Sequence, residues 1–378
     1  METIKRTRNP ALDIIRIFAL FCVVSLHFFL YSGFYVTPLL DGNHYFSTLA
    51  RTFFMICVPL FLLLTGYLMR NKKATKEYYL KLIRIIGEYL LASLFCMACL
   101  AVHHGDGLVD TIQIFLSQFL GILSFEAAEY GWYVEMYIGL FLFIPYLNIL
   151  YNGLQEKRAK QRLIITMLLL SGIPEVLNSI SFSLPWPMMY NDPSDGLKLF
   201  PAGWSSIYPI TYYFIGAYLS EYPLKLSKTK HILLLIMTNL IAGTIGYLKS
   251  AGSIYVWGSW QTYESLFVVI QAVLVFGFFL QLDVSRLGTR VCKFLALVSD
   301  LCFSAYLVSS VFDKLFYRLV GFRGGNIGYR PRLFFLLVPL VLLCSLISAF
   351  LLVSIYKLTN KLALRFKEPL TTKPNRED

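Results

Sequence analysis

Long apolar runs are the feature that most constrains the fold of this chain. Ten stretches are each close to 20 residues, the length of helix that crosses the hydrocarbon core of a bilayer. Charged residues make up only 15% of the 378 residues, whereas a soluble domain carries about 25%. The sequence therefore predicts an all-α, polytopic transmembrane helical bundle of about ten spans. These spans are residues 11–32, 46–69, 82–103, 132–151, 163–182, 205–222, 231–249, 262–281, 297–317 and 333–357.

The distribution of Lys and Arg predicts the orientation of the bundle. With the N-terminus inside, the inner segments hold 24 Lys and Arg and the outer loops hold 6, and cytoplasmic loops are the ones enriched in these residues. We therefore expect both termini in the cytoplasm, one membrane domain over residues 1–360 and a polar tail over 361–378. The four arginines of the predicted outer loop 318–332 run against this trend. Inner loops also explain the net charge of +12, so no nucleic-acid partner is expected.

The first span carries three ionisable residues, which are costly at membrane depth and mark either internal pairs or a working site. Asp13 and Arg16 are i,i+3 neighbours and can pair on one face. Arg16 and His27 are eleven residues apart, which places them on the same face and roughly 16 Å apart along the axis. Arg16 is either a flanking residue paired with Asp13 or a residue that binds an anionic ligand. His27 is either a buried histidine that is hydrogen-bonded to a backbone carbonyl or a group that transfers a proton.

Polar residues in the next spans extend this pattern. Pro59 and Gly66 predict a kink and a close helix approach in the second span. Lys81 and Arg84, at the start of the third span, suit either anionic lipid headgroups or the diphosphate of a nucleotide-like donor. Glu135, in the fourth span, is predicted to lie near the depth of His27 and needs a partner from another helix. The seven cysteines are read as buried apolar residues, and no metal site is expected.

Four of these segments resemble the acyltransferase-3 family of integral-membrane acyltransferases, specifically stand-alone, ten-helix members similar to the enterobacterial-common-antigen O-acetyltransferase. The most characteristic is R-x10-H, from Arg16 to His27, in the setting LDIIR…SLH. PLFLLLTGYLM, the KLIR of Lys81 and Arg84, and GWYVEMYIGLFLFIPYLN are similar to further family segments. The resemblance runs unevenly over residues 9–357. One departure is Ser309, at a place where the family commonly has a histidine.

The resemblance implies transfer of an acyl group, usually acetyl, from cytoplasmic acetyl-CoA or another acyl-CoA to a hydroxyl of a cell-envelope polysaccharide or glycolipid. It implies no permanently bound cofactor and a multi-pass location in a bacterial cell membrane. His27 would be catalytic, with Glu135 as the carboxylate that tunes it, and Asp13 and Trp132 would support the site. The expected acyl-CoA-binding residues are Arg16, Lys81, Arg84, Thr65, Gly66 and Tyr67.

Two other functions are compatible with the same residues. A transporter of polysaccharide or lipid-linked sugar would also have internal charges and aromatic outer segments, but it has no need for a CoA site. A degenerate family member acting as an accessory protein or sensor is the other, and Ser309 is its main support. For the enzyme, the long outer loop 183–204 is expected to shape the acceptor site.

Overall fold

The computed structural model describes residues 8–104, 107–126, 129–177, 201–317 and 330–367. Over these ranges the secondary structure is helical, and the β-pairing is confined to one isolated bridge between Leu39 and Ala251. A π-helical turn, Asp313–Tyr317, continues the twelfth helix. The helices are α1 Pro10–Tyr31, α2 Gly42–Phe54, α3 Cys57–Met69, α4 Lys76–Tyr79, α5 Lys81–His104, α6 Leu108–Ser117, α7 Trp132–Gly153, α8 Lys157–Leu177, α9 Tyr208–Glu221, α10 Lys228–Ser250, α11 Leu266–Leu280, α12 Thr289–Phe312 and α13 Phe334–Lys367.

The described part of the chain contains seven helical stretches that are long and apolar enough to cross a membrane. They are formed by α1, by α2 with α3, by α4 with α5, and by α7, α10, α12 and α13. The chain is therefore an all-α, multi-pass membrane protein. Helices α9 and α11 have 14 and 15 residues, about 21–23 Å of helix, and more than half of each is buried. The count of ten spans and the cytoplasmic position of the termini stay predictions.

The second predicted span is broken into α2 and α3. The chain leaves the helix at Met55 and Ile56 and resumes it at Cys57. Proline has no N–H to donate, and its ring collides with the carbonyl group four residues earlier in a continuous helix. For Pro59 that carbonyl belongs to Met55. The kink predicted from Pro59 is thus confirmed, as a break between two helices.

Helices α3 and α9 approach each other through glycines. A Cβ atom added to Gly66 would overlap the carbonyl oxygen of Tyr213, and one added to Gly216 would overlap that of Leu63. Small residues allow such close backbone contact between membrane helices. The close approach predicted at Gly66 is confirmed, and its partner is α9.

The connection between α10 and α11 is tied to α2 by Arg51, which is 1% exposed. Its guanidinium donates to the Tyr35 hydroxyl at 3.0 Å and to the main-chain oxygen of Gln261 at 3.0 Å. The rings of Tyr255 and Trp257 lie 5.0 Å from the cation. Hydrogen bonds and cation–π contacts therefore stabilise this buried charge, and they fix the loop over the bundle.

Helix α1 packs against α3, α11, α12 and α13 and lies near the centre of the bundle. Half of its 22 residues are buried, among them Ile15 and Val24. Asn9 caps its N-terminus by accepting from the amide of Ala11, and Pro10 occupies the first turn, where no N–H is needed. The polar residues of the first span are thus carried by a central, well-anchored helix.

Candidate active site

A cavity of about 610 Å³ lies between α1, α3, α5, α7 and α12, within the usual volume range of small-molecule sites. Arg16, Lys81 and Arg84 line it together. Three cations predicted from two separate segments of the sequence therefore share one cavity. The rest of the wall is mostly apolar and aromatic, and it includes Phe61, Leu64, Leu68, Tyr133, Tyr137 and Tyr306.

The three cations differ in how far their charge is already compensated. Arg84 donates to Glu88 at 2.8 Å, and the buried Glu88 also accepts from Ser304 at 3.0 Å. Arg16 donates to the neutral hydroxyl of Ser299 at 2.7 Å, and its side chain is 29% exposed. Lys81 is exposed and has no ion-pair partner within the described ranges. Arg16 and Lys81 are thus more available to an anionic ligand than Arg84.

Asp13 lies beside Arg16, as its i,i+3 spacing predicts, but its main partner is another residue. The contact between Asp13 Oδ1 and Arg16 Nη1 measures 3.9 Å, whereas Arg8 Nη2 reaches the same oxygen at 2.7 Å. Arg8 also donates to Asp300 on α12 at 2.9 and 3.1 Å. These hydrogen bonds to two carboxylates raise the pKa of Arg8, so its guanidinium stays charged.

His27 is held by a carboxylate on α12. Its Nδ1 lies 2.9 Å from Oδ2 of Asp313, and the hydroxyl of Tyr130 donates to the same oxygen at 2.7 Å. The Tyr130 ring stacks on the imidazole, with 4.0 Å between centroids. An ionised carboxylate only accepts hydrogen bonds, so an imidazole that is hydrogen-bonded to it carries a proton on Nδ1. This arrangement leaves the lone pair on Nε2, the geometry of a positioned general base.

The π-helical turn places Asp313 in the core. Its side chain is fully buried, and that of His27 is 13% exposed. Such turns are uncommon and occur often at functional sites. Contacts on both sides hold this one: the Tyr317 hydroxyl donates to the Val24 carbonyl at 3.1 Å, and Lys314 pairs with Glu129 at 2.8 Å. The turn is therefore fixed both to α1 and to the segment that carries Tyr130.

The cavity and the histidine are connected through one tyrosine. The Tyr306 side chain lines the cavity, and its hydroxyl donates to the main-chain oxygen of Tyr130 at 2.9 Å. Tyr130 in turn stacks on His27. Val23, one helical turn before His27, also lines the cavity. The cavity thus runs from the three cations to the wall behind which His27 and Asp313 lie.

The structure places some other predicted site residues away from His27. Glu135 is exposed on α7, and the carboxylate bonded to the imidazole is Asp313 instead. Thr65 lines the cavity, but Gly66 faces α9 and Tyr67 packs on Phe276 of α11. These last two lie on the other side of α3 from the cavity.

Two further predictions concern aromatic and hydroxyl groups. Trp132 is partly exposed and stacks on Tyr263, with 6.0 Å between centroids. Ser309, at the place of the family histidine, is buried and donates to the carbonyl oxygen of Tyr306 at 2.9 Å. Its own carbonyl accepts from the amide of Asp313, one helical turn further on. Both hydrogen bonds of Ser309 are therefore made within the helix that carries Asp313.

Asp313 and Tyr130 are site residues that the sequence analysis missed. An aspartate inside the apolar run SSVFDKLF is a signal in itself, because a carboxylate at membrane depth needs a partner. Tyr130 gives no comparable signal, since it is one of 25 tyrosines and lies in a connection. Only the three-dimensional structure shows that it shares an oxygen of Asp313 with His27.

A protein-family model described as an acyltransferase domain, Acyl_transf_3, matches residues 9–354. The match covers nearly the whole chain, including the described residues of the cavity and of the cluster around His27. It favours the enzyme over the transporter among the functions considered from the sequence. No curated protein and no solved structure matches the chain significantly.

Proposed function

We propose that this chain, which belongs to the acyltransferase-3 family of membrane acyltransferases, moves an acetyl group from cytoplasmic acetyl-CoA to a hydroxyl of a cell-envelope glycan. The observation that supports this most directly is the cavity. It is lined by three cations, and its wall at Val23 and Tyr306 lies next to a histidine that is bonded to a carboxylate. We further propose the predicted topology, with ten spans, both termini inside and the cations at the inner side of a bacterial cell membrane.

The donor would bind with its phosphates at the cations and its thioester in the apolar part of the cavity. Arginine matches phosphate with a planar fork of donors, and lysine acts as a point charge. Because Arg84 already binds Glu88, we expect Arg16 and Lys81 to contribute more to affinity. The aromatic walls around Tyr137 and Tyr306 would exclude water from the thioester.

The transfer step needs one base and one leaving group. Nε2 of His27 takes the proton of the acceptor hydroxyl while the hydroxyl oxygen forms a bond to the thioester carbonyl carbon. Asp313 stabilises the resulting imidazolium through Nδ1. The tetrahedral intermediate then expels the CoA thiolate as the C–S bond breaks, and the imidazolium returns its proton to that sulfur. The products are an O-acetyl ester and free CoA.

A second route passes the acyl group through the histidine itself. In that route Nε2 forms a bond to the thioester carbonyl carbon as the C–S bond breaks and CoA leaves as the thiolate. The acceptor hydroxyl oxygen then bonds to the acyl carbon as the C–N bond breaks, and the hydroxyl proton balances the one that the CoA thiolate takes up. Radiolabel that stays on the purified protein after a short pulse without acceptor would indicate this route. Direct transfer leaves no label on the protein.

The acceptor would approach from the outer side, in keeping with an enzyme similar to the enterobacterial-common-antigen O-acetyltransferase. Trp257 is 58% exposed there and stacks on Tyr35, with 4.6 Å between centroids. An exposed, well-supported aromatic face suits a sugar ring. The acceptor loop predicted over 183–204 lies outside the described residues up to position 200. An unchanged choice of acceptor after its replacement by a Gly/Ser linker would count against its role.

The proposal is tested by transfer of radiolabelled acetyl from acetyl-CoA into envelope glycan. Membranes would contain the wild type, His27→Ala, Arg16→Ala or the control His44→Ala, whose imidazole hydrogen-bonds to Asp41, the residue directly before α2. We expect label with the wild type and His44→Ala, and none above background with His27→Ala. Arg16→Ala should recover in part at high acetyl-CoA concentration. Full transfer by His27→Ala at equal membrane insertion would refute the catalytic role of the histidine.

A further inference from the structure

The end of the cavity that holds Arg16, Lys81 and Arg84, here called its mouth, also contains three acidic side chains, which would oppose the binding of an anion. Glu88 and Asp300 line the cavity, and Asp13 lies 3.9 Å from Arg16. A carboxylate next to an arginine competes with any phosphate for the same guanidinium. Glu88 is occupied by Arg84 and Ser304. The other two acids must also be neutralised if Arg16 is to bind an anion.

Arg8 neutralises both of them. Its Nε and Nη2 donate to Asp13 at 2.7–3.1 Å, and Nη1 and Nη2 donate to Asp300 at 3.1 and 2.9 Å. A further bond from Nη2 to the Ala296 carbonyl, at 3.0 Å, fixes the guanidinium against α12. The fork of Arg8 therefore occupies two carboxylates on two helices at once, a geometry that favours arginine over lysine.

We infer that Arg8 is a positioning residue of the donor site, which acts by sequestering Asp13 and Asp300 so that the charge of Arg16 remains available to the anionic end of an acyl-CoA. This inference rests on the proposed function. Arg16 itself is left with the neutral Ser299 as its close partner, at 2.7 Å. Its side chain is 29% exposed. An arginine held by a hydroxyl group can exchange that partner for a phosphate without breaking a close ion pair.

The charge balance at the mouth supports this role. Arg8, Arg16, Lys81 and Arg84 exceed the three acids by one positive charge. Loss of Arg8 would make the group neutral and release Asp13 to pair with Arg16. A carboxylate freed within a few ångströms of the anion site weakens anion binding through direct repulsion and through competition for the cation. We expect an about tenfold rise in the Kd for acetyl-CoA, which corresponds to about 1.4 kcal/mol.

The experiment measures equilibrium binding of acetyl-CoA to the detergent-purified full chain, together with KM and kcat of acetyl transfer. Arg8→Ala should raise Kd and KM about tenfold and change kcat less than twofold. Adding Asp13→Asn to Arg8→Ala should bring Kd back to within about threefold of the wild type. The matched control is Arg286→Ala, which removes an exposed arginine paired with Asp283 at 3.3 Å and should leave Kd unchanged.

Several outcomes would overturn the inference, and they can be told apart. An unchanged Kd in Arg8→Ala refutes it directly. A raised Kd that Asp13→Asn does not restore indicates that Arg8 only ties α1 to α12. A wild type that binds no acetyl-CoA refutes the proposed function instead. If Arg8→Ala does not fold, Arg8→Lys keeps the charge without the fork and should raise Kd about threefold, again reversed by Asp13→Asn; no rise refutes the inference.

Discussion

Replacing Asp313 by Asn tests the proposed chemistry most sharply. The substitution keeps the size of the side chain but removes the charge that faces the imidazole at 2.9 Å. With charge centres roughly 4 Å apart and an effective dielectric constant of about 20, the imidazolium would lose about 4 kcal/mol of attraction. The carboxylate also stabilises the neutral ring through the same hydrogen bond, so only part of this energy belongs to the transition state. We expect kcat to fall by about 10²-fold.

The assay is acetyl transfer by purified protein, with kcat and KM for acetyl-CoA determined separately. KM should stay within about threefold, because Asp313 does not line the donor cavity. The matched control is Glu135→Gln, which removes the carboxylate that the sequence favoured as the partner of His27. That residue is exposed on α7, and we expect less than a threefold change in kcat.

The reverse pattern would refute the reasoning. If Asp313→Asn kept more than a tenth of the wild-type kcat while Glu135→Gln lost most of it, the carboxylate coupled to His27 during turnover would not be the one bonded to it here. Thermal unfolding of both variants in detergent must accompany the kinetics. A variant that inserts and unfolds like the wild type but fails in kcat locates the defect in the chemical step.

Two further predictions concern the Tyr130 hydroxyl and the close helix approach at Gly66. Tyr130→Phe keeps the ring that stacks on the imidazole but removes one of the two hydrogen bonds to Asp313, so kcat should fall about tenfold while KM is unchanged; equal activity would mean that the tyrosine contributes only packing. Gly66→Ala should lower the stability of the folded protein by about 1–3 kcal/mol, because the new Cβ atom overlaps α9. The control Gly139→Ala has no atom within 4 Å of the new Cβ, so it should leave stability unchanged or raise it slightly, because alanine favours the helix more than glycine does. An equal loss of stability in both variants would refute the role of the close approach.

Much of the architecture follows from the sequence, because hydrophobic length and local backbone chemistry act over short distances. Seven of the ten predicted spans correspond to the spanning stretches of the described chain, Pro59 predicts the break between α2 and α3, and Gly66 predicts a close approach. The short helix α6 falls in a segment whose apolar run is too brief to be a confident span. The spans and the break at Pro59 depend on neighbours in the chain and on the membrane itself, whereas only the structure identifies α9 as the partner of Gly66.

The partners of the site residues could not be predicted in the same way. Helical spacing places Asp13 beside Arg16, but the tighter partner, Arg8, precedes the helix and so has no periodicity to follow. The pairing of His27 with Asp313 depends on how α1 and α12 pack, and on a π turn that changes the register of the helix. Depth in the membrane made Glu135 a reasonable candidate, yet depth does not determine which face of α7 turns inward.

The distance along the chain between His27 and Asp313 has a consequence for biogenesis. The two residues are 286 positions apart, and polypeptides are synthesised at about 5–20 residues per second. A newly inserted first span therefore holds its histidine without this carboxylate for roughly 15–60 s. The His27–Asp313 pair forms only when α12 has entered the membrane and packed against α1. A nascent chain can therefore be inserted in the bilayer before this pair exists.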